Sequence, residues 1–382
     1  MNNLHISLTE FKNETRVLKE TFSLIKKNTF EVVYIAALHS EGLLVEEPLG
    51  EKLLVNRFIL KTRAWSKSYL VQVIKYLELC TQIYIFYRKK NIDVVNVHSL
   101  GLLPLGVALK FLYKSKLVYD AHELETEVDY LAGIKKNFNK FVERFCIPHV
   151  DVTIVVSDSI ADWYTKEYEM TRPTVVLNAP PHREILIRNY FREQLNIRAD
   201  QKILLYQGGL VTGRGISLIL DAFKVRSDDR IVAVFMGYGP LEADIIEASS
   251  QYKNIFFYPA VSPEIVLEYT ASADIGISLI ENTCLSYYYC MPNKIFEYAM
   301  AGLPVLVSNM KDMSELVKKN AMGAVIKKFS PDSINIAIDN LLAADLKMMS
   351  SNAYQMACSH AWEKQEAAMF KAYSHLNLIK AS

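Results

Sequence analysis

The sequence predicts a two-domain α/β protein in which each domain is a doubly wound parallel sheet, and three observations predict it. Apolar strand-like runs alternate with amphipathic helical ones along nearly all of the 382 residues, the pattern of parallel strands joined by helical crossovers. That length exceeds what one core serves, since domains hold roughly 100 to 200 residues each. Between the two series lies Asn178-Ala179-Pro180-Pro181, followed by a charged stretch through Arg198, a natural inter-domain crossing. The expected domains are 1–182 and 183–361.

In chain order, the first series places strands at Leu4 to Leu8, Val32 to Ala37, Val94 to His98, Lys116 to Asp120, Val152 to Ser157 and Thr174 to Asn178. The second places them at Ile203 to Gln207, Val232 to Met236, Ile255 to Tyr258, Ile275 to Leu279, Pro304 to Ser308 and Ala324 to Ile326. Each is a short apolar, β-branched run, and helical periodicity fills the gaps. A last helical stretch runs from Trp362 to Leu378. Two such sheets offer ligand sites outside the carboxyl ends of their strands.

Composition excludes several classes. A net charge of +1 and 51% hydrophobic residues describe an ordinary globular protein and argue against a nucleic-acid binder. Five cysteines, Cys80, Cys146, Cys284, Cys290 and Cys358, show no metal-ligand spacing, and their odd number does not suit a disulfide framework. The first residues lack the basic and apolar regions of a secretory leader, and the longest uncharged apolar stretch, Val97 to Leu109, is too short to span a bilayer. A cytoplasmic protein is expected, with any membrane contact peripheral.

Three stretches carry chemistry. In Met291 to Ser308, a helix runs to Ala301, Gly302 stops it, and Pro304 leads into a buried strand. Lys294 and Glu297, three positions apart, lie on one face of that helix and suit a charged ligand that also offers hydroxyls. In Leu205 to Ile216, a strand, Gly208-Gly209 and a helix start would let backbone amides approach a phosphate, with Arg214 forking onto two of its oxygens. A purely structural turn fits those glycines equally well. Phe235 to Pro240 repeats the strand, glycine and helix order with Gly237 and Gly239.

Met291 to Ser308 resembles the nucleotide-sugar signature of retaining glycosyltransferases of family 4. The resemblance implies the GT-B fold, two Rossmann-like domains facing a cleft, with a C-terminal helix, 362–382 here, crossing back to the N-terminal domain. It implies an acceptor-side first domain and a donor-binding second one. Arg214 and Lys294 are then expected to neutralise the leaving diphosphate, and Glu297 to reach the ribose hydroxyls. Gly209, Gly237, Gly239, Val261, Tyr289, Met291, Pro292, Asn293 and Ile295 line the donor. Val261 follows a strand end whose backbone reads the base. His98, ending a strand of the first domain, corresponds to a histidine near the donor sugar, and Asp120-Ala121-His122-Glu123 to an acceptor-side element.

The sequence departs from that family at two places. Gly209 stands where a second basic residue is usual, and Tyr289 where the first of two glutamates is usual. Leu285 to Pro292 instead resembles a bacterial polysaccharide-assembly branch in which Pro-Asn-Lys replaces that acid. The implied reaction is retaining transfer of a sugar to a saccharide or lipid-linked saccharide. With no Asp-x-Asp motif, neither a metal ion nor a separate cofactor is expected, the nucleotide-diphosphate sugar being the donor substrate. A nucleotide-sugar epimerase of the same fold and a non-catalytic scaffold remain the alternatives.

Between Glu51 and Lys90, nine cations face two carboxylates, a balance of +7, with Trp65, Tyr69, Tyr76, Tyr84, Phe86 and Tyr87 interleaved. This segment suits an anionic membrane face or a lipid diphosphate. A solvated helix face above core aromatics is the equal alternative.

Overall fold

The computed structural model describes residues 1–12, 14–184 and 188–378. Residues 185–187 of the expected crossing and 379–382 of the C-terminal stretch lie outside the described residues. The chain divides into two compact units, Met1–Val176 together with the segment from Glu366 onward, and Leu177–Gln365.

The first unit holds β1 (Asn2–Ile6), β2 (Val32–Leu38), β3 (Glu46–Pro48), β4 (Leu53–Phe58), β5 (Ile92–Val97), β6 (Lys116–Ala121), β7 (Val152–Val155) and β8 (Thr174–Val175). They form one sheet in the order β3-β4-β2-β1-β5-β6-β7-β8. Every pairing is parallel except β3 with β4. The order reverses between β1 and β5, so the crevice of this sheet opens beyond their carboxyl ends.

β3 and β4 are absent from the sequence expectation. Charge hid them: β4 contains Arg57, one of the nine cations between Glu51 and Lys90, but the structure buries it. Its guanidinium donates to the carbonyls of Glu10 and Leu44 at 2.9 and 3.0 Å and pairs with Glu47 at 2.6 Å. Tyr87 is likewise fully buried, its hydroxyl donating to Asn56 of β4 at 2.8 Å. The segment 51–90 is therefore part core and part surface.

The second unit holds β9 (Lys202–Gly209), β10 (Ile231–Tyr238), β11 (Ile255–Pro259), β12 (Ile275–Ser278), β13 (Val305–Val307) and β14 (Gly323–Val325). All pairs are parallel, in the order β11-β10-β9-β12-β13-β14. Side chains alternate along β9: Ile203 and Leu205 join one apolar cluster with Val232 and Val234, while Leu204 and Tyr206 join a second with Ala233 and Phe235. A sheet buried on both faces reads as a continuous apolar run for this reason. The order reverses between β9 and β12, which fixes the crevice of this unit.

The last helix, Trp362–Ser374, ends four residues before the expected Leu378. Its first turn bonds to the second unit, Trp362 N–H donating to the Pro180 carbonyl at 2.9 Å. Its later residues bond to the first unit: Glu366 accepts from Ser23 Oγ at 2.6 Å, and Tyr373 donates to Asn96. Among the described residues no helix is long and apolar enough to cross a membrane.

Candidate functional site

Most of the expected donor-binding residues sit around the carboxyl edge of the second sheet. β9 runs on through Gly208 and Gly209, which pair in register with Gly237 and Tyr238 of β10. The glycines are thus strand ends, where a turn was expected. A β-carbon on Gly237 would lie 1.9 Å from the Gly208 carbonyl oxygen, and one on Gly239 2.5 Å from that of Leu210. No side chain fits at either place, so the two loops close on each other through bare backbone.

The helix Asn293–Met300 enters beside them. Ile295, Phe296, Tyr298, Ala299 and Met300 are buried, which leaves Lys294 and Glu297 on its polar side. The Tyr298 hydroxyl locks the helix to the sheet, accepting from Gln207 N–H at 2.9 Å and donating to the Ile277 carbonyl at 3.2 Å. Glu297 accepts from Gln207 Nε2 at 2.6 Å, and Gln207 Oε1 accepts from Thr270 at 2.7 Å. That chain fixes the carboxylate. Lys294 Nζ lies 4.0 Å from the centre of the Tyr206 ring, and the Arg214 guanidinium 5.2 Å from that of Tyr287. Burial, reinforced by the charge of Arg214 and opposed by Glu297, lowers the Lys294 ammonium to about 7. Two cations held together against their own repulsion make a site that gains from an anion.

The other expected residues take supporting positions. Asn293 is exposed at the helix start, with Pro292 preceding it in extended conformation. Met291 and Val261 are half-buried against the core, and Ile295 lies wholly within it, so Ile295 offers a ligand only its backbone. Tyr289 packs against Tyr288, ring centres 5.4 Å apart, beneath Lys311 Nζ at 5.5 Å. Gln207, Tyr206 and Tyr298 were not expected at the site. Gln207 carried a signal, being the one amide in an apolar strand.

In the first unit, His98 follows β5 and Asp120 lies in β6. Arg16 forks onto Asp120, Nε to Oδ2 at 3.0 Å and Nη2 to Oδ1 at 2.7 Å. Asp120 Oδ2 also accepts from His98 Nδ1 at 3.0 Å and His122 Nε2 at 2.8 Å. His98 Nε2 meets His5 Nδ1 at 2.9 Å, and His5 Nε2 meets Asn3 Nδ2 at 3.2 Å. One set of neutral tautomers satisfies each of these bonds, with His98 Nδ1 and His122 Nε2 donating to Asp120, His5 Nδ1 donating to His98 and Asn3 donating to His5. Burial keeps His98 and His5 below the ordinary histidine range. Burial opposes the Asp120 charge, but Arg16 and the two imidazoles hold it well below the usual carboxylate range. Both nitrogens of His98 are engaged within the protein, whereas His122 is a third exposed. The ligand atoms of His98, Asp120 and His122, and those of His5, Glu20 and His98, lie within 4.8 Å of one another. The Arg16 fork on Asp120 opposes a second cation in the first of these sets, and Arg16 also pairs with Glu20 of the other at 3.1 Å.

Two family models match this chain. Residues 16–179 match Glycosyltransferase Family 4, and residues 187–356 match Glycosyl transferases group 1, so that between them they take in most of the sequence. Each half of the chain thus matches a glycosyltransferase model, and the fold is GT-B. This GT-B chain is 24% identical over 307 residues to the chitobiosyldiphosphodolichol beta-mannosyltransferase of Kluyveromyces lactis, covering 69% of this chain and 66% of that protein. It is 27% identical over 255 residues to the lipopolysaccharide 1,2-N-acetylglucosaminetransferase of Salmonella typhimurium, covering 61% of each. The chain thus spans under two thirds of either relative's length. Its fold matches that of sucrose-phosphate synthase from Thermosynechococcus elongatus with a TM-score of 0.81 at 15% identity, over 98% of this chain and 99% of that one.

Proposed function

We propose that this chain transfers a sugar, with retention of anomeric configuration, from a nucleotide-diphosphate sugar to a saccharide or lipid-linked saccharide, in cell-surface polysaccharide assembly at the cytoplasmic face of the membrane. The observation that carries the reading is the pair Arg214 and Lys294, held beside two glycine-closed strand ends and a tethered Glu297. Cations there stabilise the charge that grows on a departing diphosphate, and the carboxylate suits ribose hydroxyls. Relatives that act on lipopolysaccharide and on a diphosphodolichol saccharide support the acceptor class. Contact of the 51–90 segment with an anionic membrane belongs to the same proposal. For His98, with both ring nitrogens engaged, the proposal is a positioning role: it holds Asp120 and His122 at the sheet edge.

The test is a panel of UDP- and GDP-sugars assayed in chelator, with and without lipid-linked saccharides. The expected result is nucleotide binding without a divalent cation, and a new glycosidic bond of the donor's anomeric configuration only when an acceptor is present. Release of an altered nucleotide sugar without acceptor would make the chain an epimerase. Failure to bind any nucleotide sugar would make it a scaffold.

A further inference from the structure

The helix Gly133–Cys146 is built inside out. Its Glu143 is wholly buried, the carboxylate accepting hydroxyls from Tyr119, Tyr164 and Tyr168 at 3.0, 2.6 and 2.6 Å. Its apolar residues face the other way: Ile134 is 89% exposed, Phe138 55%, Phe141 66% and Phe145 65%. Positions 134, 138, 141 and 145 are spaced four, three and four apart, so they form one stripe. Three large aromatics and an isoleucine in a row exceed the scattered apolar exposure usual on a monomer's surface.

The stripe continues onto neighbouring helices of the same unit. Phe145 and Phe111 both pack edge-on against His149, and Tyr113 stacks on Tyr84. Phe111 and Leu112 are more than half exposed, as are Tyr69, Leu70 and Leu77 of the helix Tyr69–Tyr87. Charge beside the stripe has one sign on the helix itself. With about 3.6 residues per turn, Lys135 and Arg144 lie to either side of the stripe, Lys136 and Lys140 turn towards the face that carries Glu143, and the helix's one carboxylate is buried. Glu127 holds Lys136 and Lys140 at 2.6 and 2.7 Å on the side away from the stripe, and Glu167 holds Arg144 at its margin at 3.3 Å.

We propose that this face docks the protein on an anionic lipid surface, with the helix Gly133–Cys146 lying in the plane of the headgroups and its phenylalanines inserted. An aromatic stripe with lysine and arginine margins is the composition of an interfacial helix, and anionic headgroups match the cations. A protein partner is the poorer fit, because lysine is depleted from protein–protein interfaces. The helix Gly133–Cys146 belongs to the first unit, whereas the expected donor-binding residues Arg214, Lys294 and Glu297 belong to the second, and the proposal stands without the transferase reading.

The test is cosedimentation of the full chain with vesicles of phosphatidylcholine alone and with about a third phosphatidylglycerol, no nucleotide sugar present. Wild type should bind the anionic vesicles, and added salt should weaken that binding without abolishing it, since insertion of apolar groups is not screened. The triple variant Phe138→Gln, Phe141→Gln, Phe145→Gln should lose about tenfold or more in partitioning while keeping its unfolding temperature. If the triple variant misfolds, Phe141→Ser alone should show a smaller loss in the same direction. Wild type remaining in the supernatant at low salt, or folded variants that bind undiminished, would overturn the proposal. So would a wild-type dimer that the triple variant converts to monomer with no vesicle binding by either, which would assign the face to a second copy of this chain.

Discussion

Lys294 sits where a charged side chain is least comfortable, against the Tyr206 ring and beside Arg214, which brings its ammonium to about 7. An ordinary lysine in the unfolded chain titrates near 10.4. Between these values the unfolded state binds more protons, so the ligand-free fold gains stability as pH rises through that window; the cost of the charge is fully present below about pH 7. Lys294→Met should therefore raise the unfolding temperature of the ligand-free protein at pH 6, by less at pH 9, and abolish nucleotide binding. A diphosphate reverses the balance by favouring the ammonium. Donor binding at pH 8 should take up close to one proton, measured by calorimetry in buffers of different ionisation enthalpy, and should weaken as pH rises. Glu297→Gln tests the other side of the site: the loss of a charge-assisted acceptor should weaken donor binding by about 1 to 3 kcal/mol with the fold intact, because Gln207 Nε2 can still donate to the amide oxygen. Calorimetric titration of the folded variant measures it.

At the scale of elements, the sheets were legible because buried parallel strands are uninterrupted apolar runs, as in Ile203 to Tyr206 and Val232 to Met236. The helix carrying Lys294 and Glu297 was legible from its periodicity and from Gly302, whose φ of +73° closes it. Two features were not. β4 was masked by Asn56 and Arg57, whose partners Tyr87, Glu10 and Leu44 are remote in sequence. The engagement of His98 depends on His5, 93 residues away, and on Asp120, which no local pattern encodes. The glycines are a middle case: their loop positions were readable, but the 1.9 Å approach that forbids a β-carbon at Gly237 comes from pairing with β9. Gly237→Ala should force the two strand ends apart. The expected outcome is a loss of about 1 to 3 kcal/mol in stability together with weaker nucleotide binding, measured by thermal unfolding with and without nucleotide.

At the scale of the whole chain, the C-terminal segment belongs by contact to a unit other than the one it emerges from. Met369, Ala372, Tyr373 and Leu376 are buried, with Tyr373 edge-on to Phe30 at 6.4 Å and bonded to Asn96, while Ser23 holds Glu366. The first unit's core is thus completed by residues that follow the second unit in sequence. Burial of a large apolar side chain contributes about 1.5 to 3 kcal/mol, so removal of Met369, Tyr373 and Leu376 together withdraws on the order of 5 kcal/mol. That is a large part of a domain's usual stability of about 5 to 15 kcal/mol. Truncation after Gln365 should therefore lower the unfolding temperature of the first unit selectively. The proposed donor-binding residues Arg214, Lys294 and Glu297 lie within Leu177–Gln365, and Leu177 keeps its bond to Gln365 Oε1 at 2.9 Å. Calorimetry should accordingly show one transition moved down and a second that nucleotide still raises. A single transition unmoved by the truncation would deny the segment its part in the first core.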